Sequence, residues 1–179
     1  ADAEGLLSVG RLFAEPLWVF HRAGVKADRL ADLSGRTLAI GPEGSGNRAL
    51  AEALLSANRI STADGTRLSP LGGAQAAEAL ERGEVDAVFL SLAPQAPLVQ
   101  RLLRADSVRL LSFEQADAYT KTFPYLTRLT LPKGVVDLVR NVPERDIQLV
   151  APVAALVVRA NLHPSLVALL AEAAREVHG

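Results

Sequence analysis

Apolar runs and amphipathic segments alternate along most of the chain. Two runs, Thr37–Gly41 and Asp86–Leu90, are almost entirely apolar, which is typical of strands covered on both faces. Further β-rich runs cover residues 16–22, 67–71, 108–112, 126–131 and 147–159, the last interrupted by a proline. Between them, the apolar spacing predicts a helical turn at 31–34 and helices over 47–58, 74–82, 94–104, 114–122 and 163–177. Strands separated by helices of this length indicate βαβ units, so we predict an α/β fold with mainly parallel sheets and flanking helices.

Length and composition narrow the class of protein. With 179 residues, 49% of them hydrophobic, the chain is long enough for one domain or two small lobes with a real core. No apolar run reaches the roughly 18 residues of a membrane-spanning helix, and no signal peptide pattern opens the chain. Because the sequence contains no Met at all, we expect it to be a segment of a longer protein.

Several function classes are disfavoured by the residue content. The net charge of −1 does not suit a nucleic-acid partner. Zero cysteines exclude thiolate metal sites, and the three histidines are too widely spaced for a ligand cluster. Ser45 lacks the preceding glycine of a nucleophile elbow, since Glu43 stands there. We therefore expect neither a metal nor a cofactor, and no catalytic constellation.

The segment Thr37–Ala49 (TLAIGPEGSGNRA) is the most informative part of the sequence. A buried strand ends in a glycine-rich turn that opens directly into a helix. Gly44 and Gly46 let the backbone approach a ligand closely, and Ser45 is a candidate helix cap. The free amides of residues 46–48 would then bind an anion at the positive end of the helix dipole. A plain βα turn with Ser45 serving only as the cap is the alternative.

Two nucleotide-binding motifs resemble parts of this turn. Gly41 and Gly46 have the glycine spacing of a P-loop, but Asn47 and Arg48 stand where Lys and Ser or Thr are required. That hypothesis fails, because no side chain remains for the terminal phosphate or for Mg²⁺.

The looser dinucleotide fingerprint G-x-G-x-x-A fits Gly44, Gly46 and Ala49, with Asp64 at about the expected distance for the ribose acid. However, that acid should end the following strand, whereas Asp64 precedes it in a loop. The dinucleotide interpretation is therefore weak.

Two further candidates for ligand contact lie outside the turn. Ser91 follows the buried strand at 86–90, at the carboxyl edge where ligands of open α/β sheets bind; its alternative role is to close a turn. Tyr125 precedes a predicted strand and would either donate its hydroxyl to a ligand or pack against Phe123. Of the residues in the first β-rich run, Trp18 is expected in the core and His21 at the surface or at a hinge.

Several segments, in order along nearly the whole chain, resemble the TAXI-type solute-binding subunits of TRAP transporters. The segment Asp32–Leu55 (DLSGRTLAIGPEGSGNRALAEALL) is similar to their signature, D-L-x-G-K-R, a strand, then G-P-x-G-S-G-T. The other matching segments are Phe13–Phe20, Ala79–Phe89, Phe123–Tyr125, Leu131–Gly134 and Ala151–Pro164. The similarity is greatest to a membrane-anchored proteobacterial subgroup with a later C-terminal membrane segment.

This resemblance implies a type II periplasmic-binding-protein fold, with two α/β lobes, two crossover strands and a ligand cleft between the lobes. Residues 29–146 would form the second lobe, which carries the glycine-rich turn. Residues 1–28 and 147–179 would form the crossover strands and the remainder of the first lobe, whose N-terminal half is expected to be missing. The chain would thus hold one complete lobe and part of another.

The resemblance also implies a function and a set of ligand-binding residues. Family ligands are small organic anions, typically acidic amino acids such as glutamate, or dicarboxylates. The expected ligand-binding residues are Gly44, Ser45, Gly46, Asn47, Ser91 and Tyr125. Asn47 replaces the usual Thr, and Val135 and Val136 stand where a tyrosine often follows the L-P-x-G segment.

The expected role is that of a periplasmic receptor that delivers its ligand to transporter membrane subunits. Membrane attachment would lie outside this chain. A ligand-sensing regulatory domain on the same fold is the first alternative, and a dinucleotide-binding enzyme is the second.

Overall fold

The computed structural model describes residues 5–178, which form eight strands and five α-helices. The strands are β1 (Leu6–Ala14), β2 (Leu17–Arg22), β3 (Thr37–Ala39), β4 (Arg67–Ser69), β5 (Ala87–Ser91), β6 (Val108–Leu110), β7 (Leu126–Leu131) and β8 (Ile147–Arg159). The helices are α1 (Gly46–Ala57), α2 (Gly73–Glu81), α3 (Pro97–Arg104), α4 (Ala116–Thr122) and α5 (Pro164–His178). Two short 3₁₀ helices cover Leu30–Leu33 and Thr62–Asp64.

The strands form a mixed sheet around β2. On one side, β2 pairs antiparallel with β5, and β5, β3 and β4 follow in parallel order. On the other side, β2 pairs antiparallel with β6 along residues 20–22 and touches β8 where Leu17 meets Val150. Strands β3, β4 and β5 therefore end at one edge of the sheet, where β2 begins. This edge carries the glycine-rich turn.

Strand β8 connects two parts of the fold. Its first half, up to Pro152, pairs antiparallel with β7, and its second half pairs antiparallel with β1. The N–H of Glu15 donates to the carbonyl of Pro152 at 3.3 Å, between the end of β1 and the start of β2. The chain thus crosses between the two groups of strands at two neighbouring places.

Alternation along β2 separates two hydrophobic clusters. Leu17 and Val19 point to the face covered by α1, whereas Trp18 and Phe20 point to the face covered by α2 and α3; all four are fully buried. Burial on both faces explains why β2 reads as a continuous apolar run rather than as an alternating one.

The α/β class and the predicted helices are confirmed, with ends that differ by at most three residues. Strand β1 is an element that the sequence pattern did not predict. Its pairing with β8 is interrupted by register shifts between Ser8 and Gly10 and between Arg11 and Phe13, and such irregularities break the two-residue alternation. No helix within the described residues is both long and apolar enough to cross a membrane.

Candidate functional site

At two places, the backbone of the glycine-rich turn has a conformation that strongly favours glycine. Gly41 has φ of +99° and Gly44 has φ of +76°, both in the left-handed region. A Cβ atom on Gly41 would lie 3.1 Å from the Ser45 hydroxyl oxygen and 3.2 Å from the Asn47 amide nitrogen. The backbone at Gly41 therefore packs directly against the first turn of α1.

Ser45 caps helix α1, as predicted. Its hydroxyl oxygen accepts from the N–H of Arg48 at 3.2 Å, and the hydroxyl donates to the carbonyl of Pro42 at 2.8 Å. The amides of Gly46 and Asn47 belong to the first helical turn, where no preceding carbonyl of the helix accepts from them. The N-terminus of a 12-residue helix thus lies at the carboxyl edge of the sheet.

Asn47 joins the helix to the ends of two strands. Its side-chain amide donates to the carbonyl of Ile40, just after β3, at 2.8 Å and to the carbonyl of Phe89 in β5 at 3.0 Å. Its amide oxygen accepts from the hydroxyl of Ser91 at 3.1 Å. The structure therefore brings Ser45, Asn47 and Ser91 together, but their side chains are already hydrogen-bonded to protein groups. The backbone amides of Gly46 and Asn47 remain as donors for a ligand.

Tyr125 lies at the same edge of the sheet, directly before strand β7. Strands β2 and β8 separate it from Ser91. Its side chain is 49% exposed and its ring packs edge-on against Phe123, with centroids 5.9 Å apart. The structure thus leaves the Tyr125 hydroxyl accessible at this edge without bringing it to the glycine-rich turn.

Arg48 is a charged residue of the turn that the sequence analysis did not select. Its guanidinium donates to the carbonyl of Gly41 at 3.3 Å and to the carboxylate of Glu52 at 2.8 Å. The spacing of four residues between Arg48 and Glu52 is the available sequence signal. Glu43, the acid in this turn, is exposed.

At the opposite edge of the sheet, β2 ends in His21 and Arg22. The expectation of a surface histidine was wrong: His21 is only 5% exposed, and burial lowers the pKa of its imidazole. Arg22 forms an ion pair with Asp86, whose carboxylate also accepts from the N–H of Thr37. Burial opposes ionisation of Asp86, but these hydrogen bonds outweigh it and hold its pKa below the usual value. The ion pair thus joins the end of β2 to the residue that precedes β5.

Asp64, the candidate ribose acid, is occupied by local structure. One carboxylate oxygen accepts from the N–H and the hydroxyl of Thr66, and the other accepts from the Ser34 hydroxyl at 2.8 Å and the Ser61 amide. It lies in the 3₁₀ helix before β4 rather than at the end of a strand. Nothing in this arrangement offers the carboxylate to a nucleotide.

The stability of the protein is expected to depend on Asp64 at acid pH. The hydrogen bond from the Thr66 hydroxyl, followed by that from Ser34, lowers the pKa of Asp64 from 3.8 to about 2. A depressed pKa in the folded state stabilises the fold above pH 3.8, and this contribution is lost as the pH falls towards 2. Urea midpoints measured across this range should fall less steeply for Asp64→Asn than for the wild type.

Metal binding finds no support in the part of the chain that the structure describes, since it holds no group of three or more His, Cys, Asp or Glu residues placed to ligate an ion.

The strand order β4–β3–β5–β2, with an antiparallel β2, belongs to an α/β fold that solved periplasmic binding proteins share. The chain belongs to the NMT1-like family, which matches residues 1–177. No curated protein matches the sequence significantly.

Solved structures share the fold at low sequence identity. A TctC solute-binding protein from Polaromonas has 16% identity and a TM-score of 0.57, with 99% of this chain and 57% of that chain covered. The aliphatic sulphonate-binding protein SsuA from Escherichia coli has 18% identity and a TM-score of 0.50, with 83% and 40% covered. The CcmR regulatory domain from Synechocystis, in complex with 2-PG, has 16% identity and a TM-score of 0.51, with 99% and 70% covered. The chain thus spans about half the length of the TctC and SsuA solute-binding proteins.

Proposed function

We propose that the chain is the ligand-binding region of a periplasmic receptor that captures a small organic anion, an acidic amino acid or a dicarboxylate, for a TRAP-type secondary transporter. The observation that carries this proposal is the capped N-terminus of α1 at the carboxyl edge of the sheet. Family membership and the shared fold of solute-binding proteins support the receptor class. The TAXI-like segments of the sequence support the choice of transporter and of ligand.

The ligand carboxylate would be held by backbone rather than by side chains. The amides of Gly46 and Asn47 point out of the helix at its positive end, which favours a negative charge. Ser45, Asn47 and Ser91 would act by fixing these amides, because their polar atoms are already hydrogen-bonded within the protein. Gly44 would let the ligand approach, and Tyr125 would supply the exposed hydroxyl of a neighbouring wall.

Ligand capture would be coupled to closure of two lobes. We assign residues 29–146 to the lobe with the turn, and residues 1–28 and 147–179 to the crossover strands and part of the other lobe. The neighbouring crossings near Glu15 and Pro152 are the expected bending points. A ligand held by both lobes would favour the closed state, which the transporter membrane subunits would recognise. Attachment to the inner membrane would come from outside this chain, and no catalytic step is involved.

A thermal-shift screen tests the ligand class. The panel is glutamate, glutamine, four-carbon and five-carbon dicarboxylates, and NAD(P). One carboxylate is expected to raise the melting temperature progressively with its concentration, as mass action requires. A shift with NAD(P) alone would replace the proposal by the dinucleotide-binding enzyme.

Ser45→Asp is expected to abolish binding of that carboxylate while leaving the fold intact. Aspartate caps a helix as well as serine does, but it places a negative charge beside the amides that would receive the anion. Ser45→Asn, a neutral cap, is the matched control and should retain binding. Isothermal titration of both variants makes the comparison. Unchanged affinity in Ser45→Asp would place the anion site elsewhere.

A ligand-sensing regulatory domain is the second candidate function. The likeness to the CcmR regulatory domain favours it, because that domain has the same fold. A permease encoded beside the gene would favour transport, whereas a kinase or DNA-binding segment in the same polypeptide would favour sensing.

A further inference from the structure

A second concave region lies at the opposite edge of the sheet from the glycine-rich turn. It is a cavity of about 790 Å³ between the end of β2, the end of α3, the start of β6 and the loop that leads into β8. Because β2 and β5 are antiparallel, Leu17 pairs with Ser91 at one edge, whereas His21 pairs with Ala87 at the other. The two sites are therefore separated by the length of β5, about 13 Å at 3.3 Å per residue.

The floor of this cavity is apolar and well packed. Its accessible apolar side chains, each partly exposed, are Ala27, Leu103, Ala105, Leu110, Val142 and Pro143. A volume of this size lies within the range of about 300–1,000 Å³ that is usual for sites of small organic molecules. The floor thus suits an apolar body larger than a single small anion.

Charged side chains surround the floor, and cations predominate. The cations are Lys26, Arg104, Arg109, Arg140 and Arg145, and the carboxylates are Asp28, Asp106 and Glu144. Arg140 pairs with Asp106 at 3.2 Å, and Arg145 pairs with Glu114, outside the lining, at 3.1 Å. Among the described residues, Lys26, Arg104 and Arg109 form no ion pair with a carboxylate.

Two of these cations are fixed without being neutralised. The guanidinium of Arg109 donates to the carbonyls of Asp106 and Val108 at 2.9 and 2.8 Å. That of Arg104 donates to the carbonyl of Val136 at 2.9 Å and to Gln100. Main-chain carbonyls hold both groups in place while leaving their full charge to act on a ligand.

The two remaining carboxylates do not cancel this charge. The side chains of Asp28 and Glu144 are exposed, and no hydrogen bond within the described residues fixes either carboxylate. They can turn towards solvent when an anion enters, whereas Arg104 and Arg109 stay in place. The fixed charge of the cavity is therefore positive.

We propose that this cavity is a second binding site, for an organic anion with an apolar body and a carboxylate or phosphate group. The body would lie on the floor at Leu110 and Pro143, and the anionic group would contact Lys26 and Arg109. Arg104 would add to the positive field and hold the loop that closes the cavity. This site is independent of the glycine-rich turn and does not rest on the function proposed above.

Amide chemical-shift mapping on the ¹⁵N-labelled 179-residue chain tests the proposal, with 2-naphthoate as the probe and 2-naphthamide as its neutral counterpart. We expect saturable shifts from 2-naphthoate at residues 25–28 and 104–109, and much weaker binding of 2-naphthamide. Lys26→Gln and Arg109→Gln should each weaken 2-naphthoate binding about three- to five-fold, the usual effect of an exposed charge pair. Arg128→Gln removes the same charge from an exposed ion pair outside the cavity and should leave the affinity unchanged.

Three results would overturn the proposal. Equal binding of the naphthoate and the naphthamide would mean that the floor alone binds and the cations do not. Shifts confined to residues 44–47 would assign the anion to the glycine-rich turn instead. Unchanged affinity in both Lys26→Gln and Arg109→Gln would remove these residues from the site. Because shifts are mapped by residue, this site and the one at the turn can fail separately.

Discussion

Asn47→Ala is expected to lower the free energy of unfolding by about 2–4 kcal/mol. The substitution leaves the carbonyls of Ile40 and Phe89 without their donor and the hydroxyl of Ser91 without its acceptor. Each unpaired buried polar group costs about 1–3 kcal/mol, and part of this is recovered where water reaches the sheet edge. Urea unfolding followed by circular dichroism measures the difference.

Asn58→Ala is the matched control for this prediction. Asn58 lies at the other end of α1, where its amide donates to the carbonyl of Leu54 at 2.8 Å and to the hydroxyl of Tyr119 at 2.7 Å. Both variants should lose stability, but only Asn47→Ala should also weaken the binding of a small carboxylate. Equal losses of affinity in the two variants would mean that binding follows stability and not the position of the helix N-terminus.

The local features of the candidate site were predictable from sequence because their causes are local. Ser45 accepts a hydrogen bond from Arg48, three residues later, so a cap at the start of a helical pattern is visible in the sequence itself. The left-handed backbone at Gly44 is likewise a property of one residue. The strand before the turn was predictable from its short, continuous apolar run.

The role of Asn47 could not be predicted, because its partners are distant in sequence. It contacts Ile40 and Phe89, 7 and 42 residues away, and Ser91, 44 residues away. The resemblance to TAXI-type receptors treats this position as a ligand contact, whereas the structure uses the side chain to fasten three elements together. Such a role depends on which strand ends meet at the edge, and therefore on the topology.

The charged residues of the cavity at the opposite edge could not be predicted from the sequence either. Arg104 is the last residue of α3 and Arg109 lies in β6, and solvated arginines are common at such positions. Nothing nearby in the sequence indicates that these two arginines lack a carboxylate partner. Their significance depends on the loop that carries Val136, which is 32 residues from Arg104. Strand β1 was missed for a related reason, since its bulges follow from pairing with β8, about 150 residues away in the chain.

Trp18→Ala is expected to lower the free energy of unfolding by about 3–5 kcal/mol, the usual cost of truncating a buried tryptophan. Trp18 is fully buried in the cluster beneath α2 and α3, and its ring stacks on Phe20 with centroids 6.2 Å apart. Its indole N–H donates to the carbonyl of Leu92 at 2.8 Å, directly after Ser91. The substitution thus creates a cavity and releases the backbone next to the candidate site.

Trp18→Phe separates these two effects. It keeps most of the ring packing and removes the hydrogen bond to Leu92, so we expect a smaller loss of about 1–3 kcal/mol. Far-UV circular dichroism must follow the unfolding, because Trp18 is the only tryptophan and its removal eliminates the intrinsic fluorescence probe. Tyr125→Ala, at an aromatic side chain that is 49% exposed, should lose less than either variant. A Trp18→Ala protein as stable as Tyr125→Ala would contradict the placement of Trp18 in the core, and with it the packing that supports Ser91 at the sheet edge.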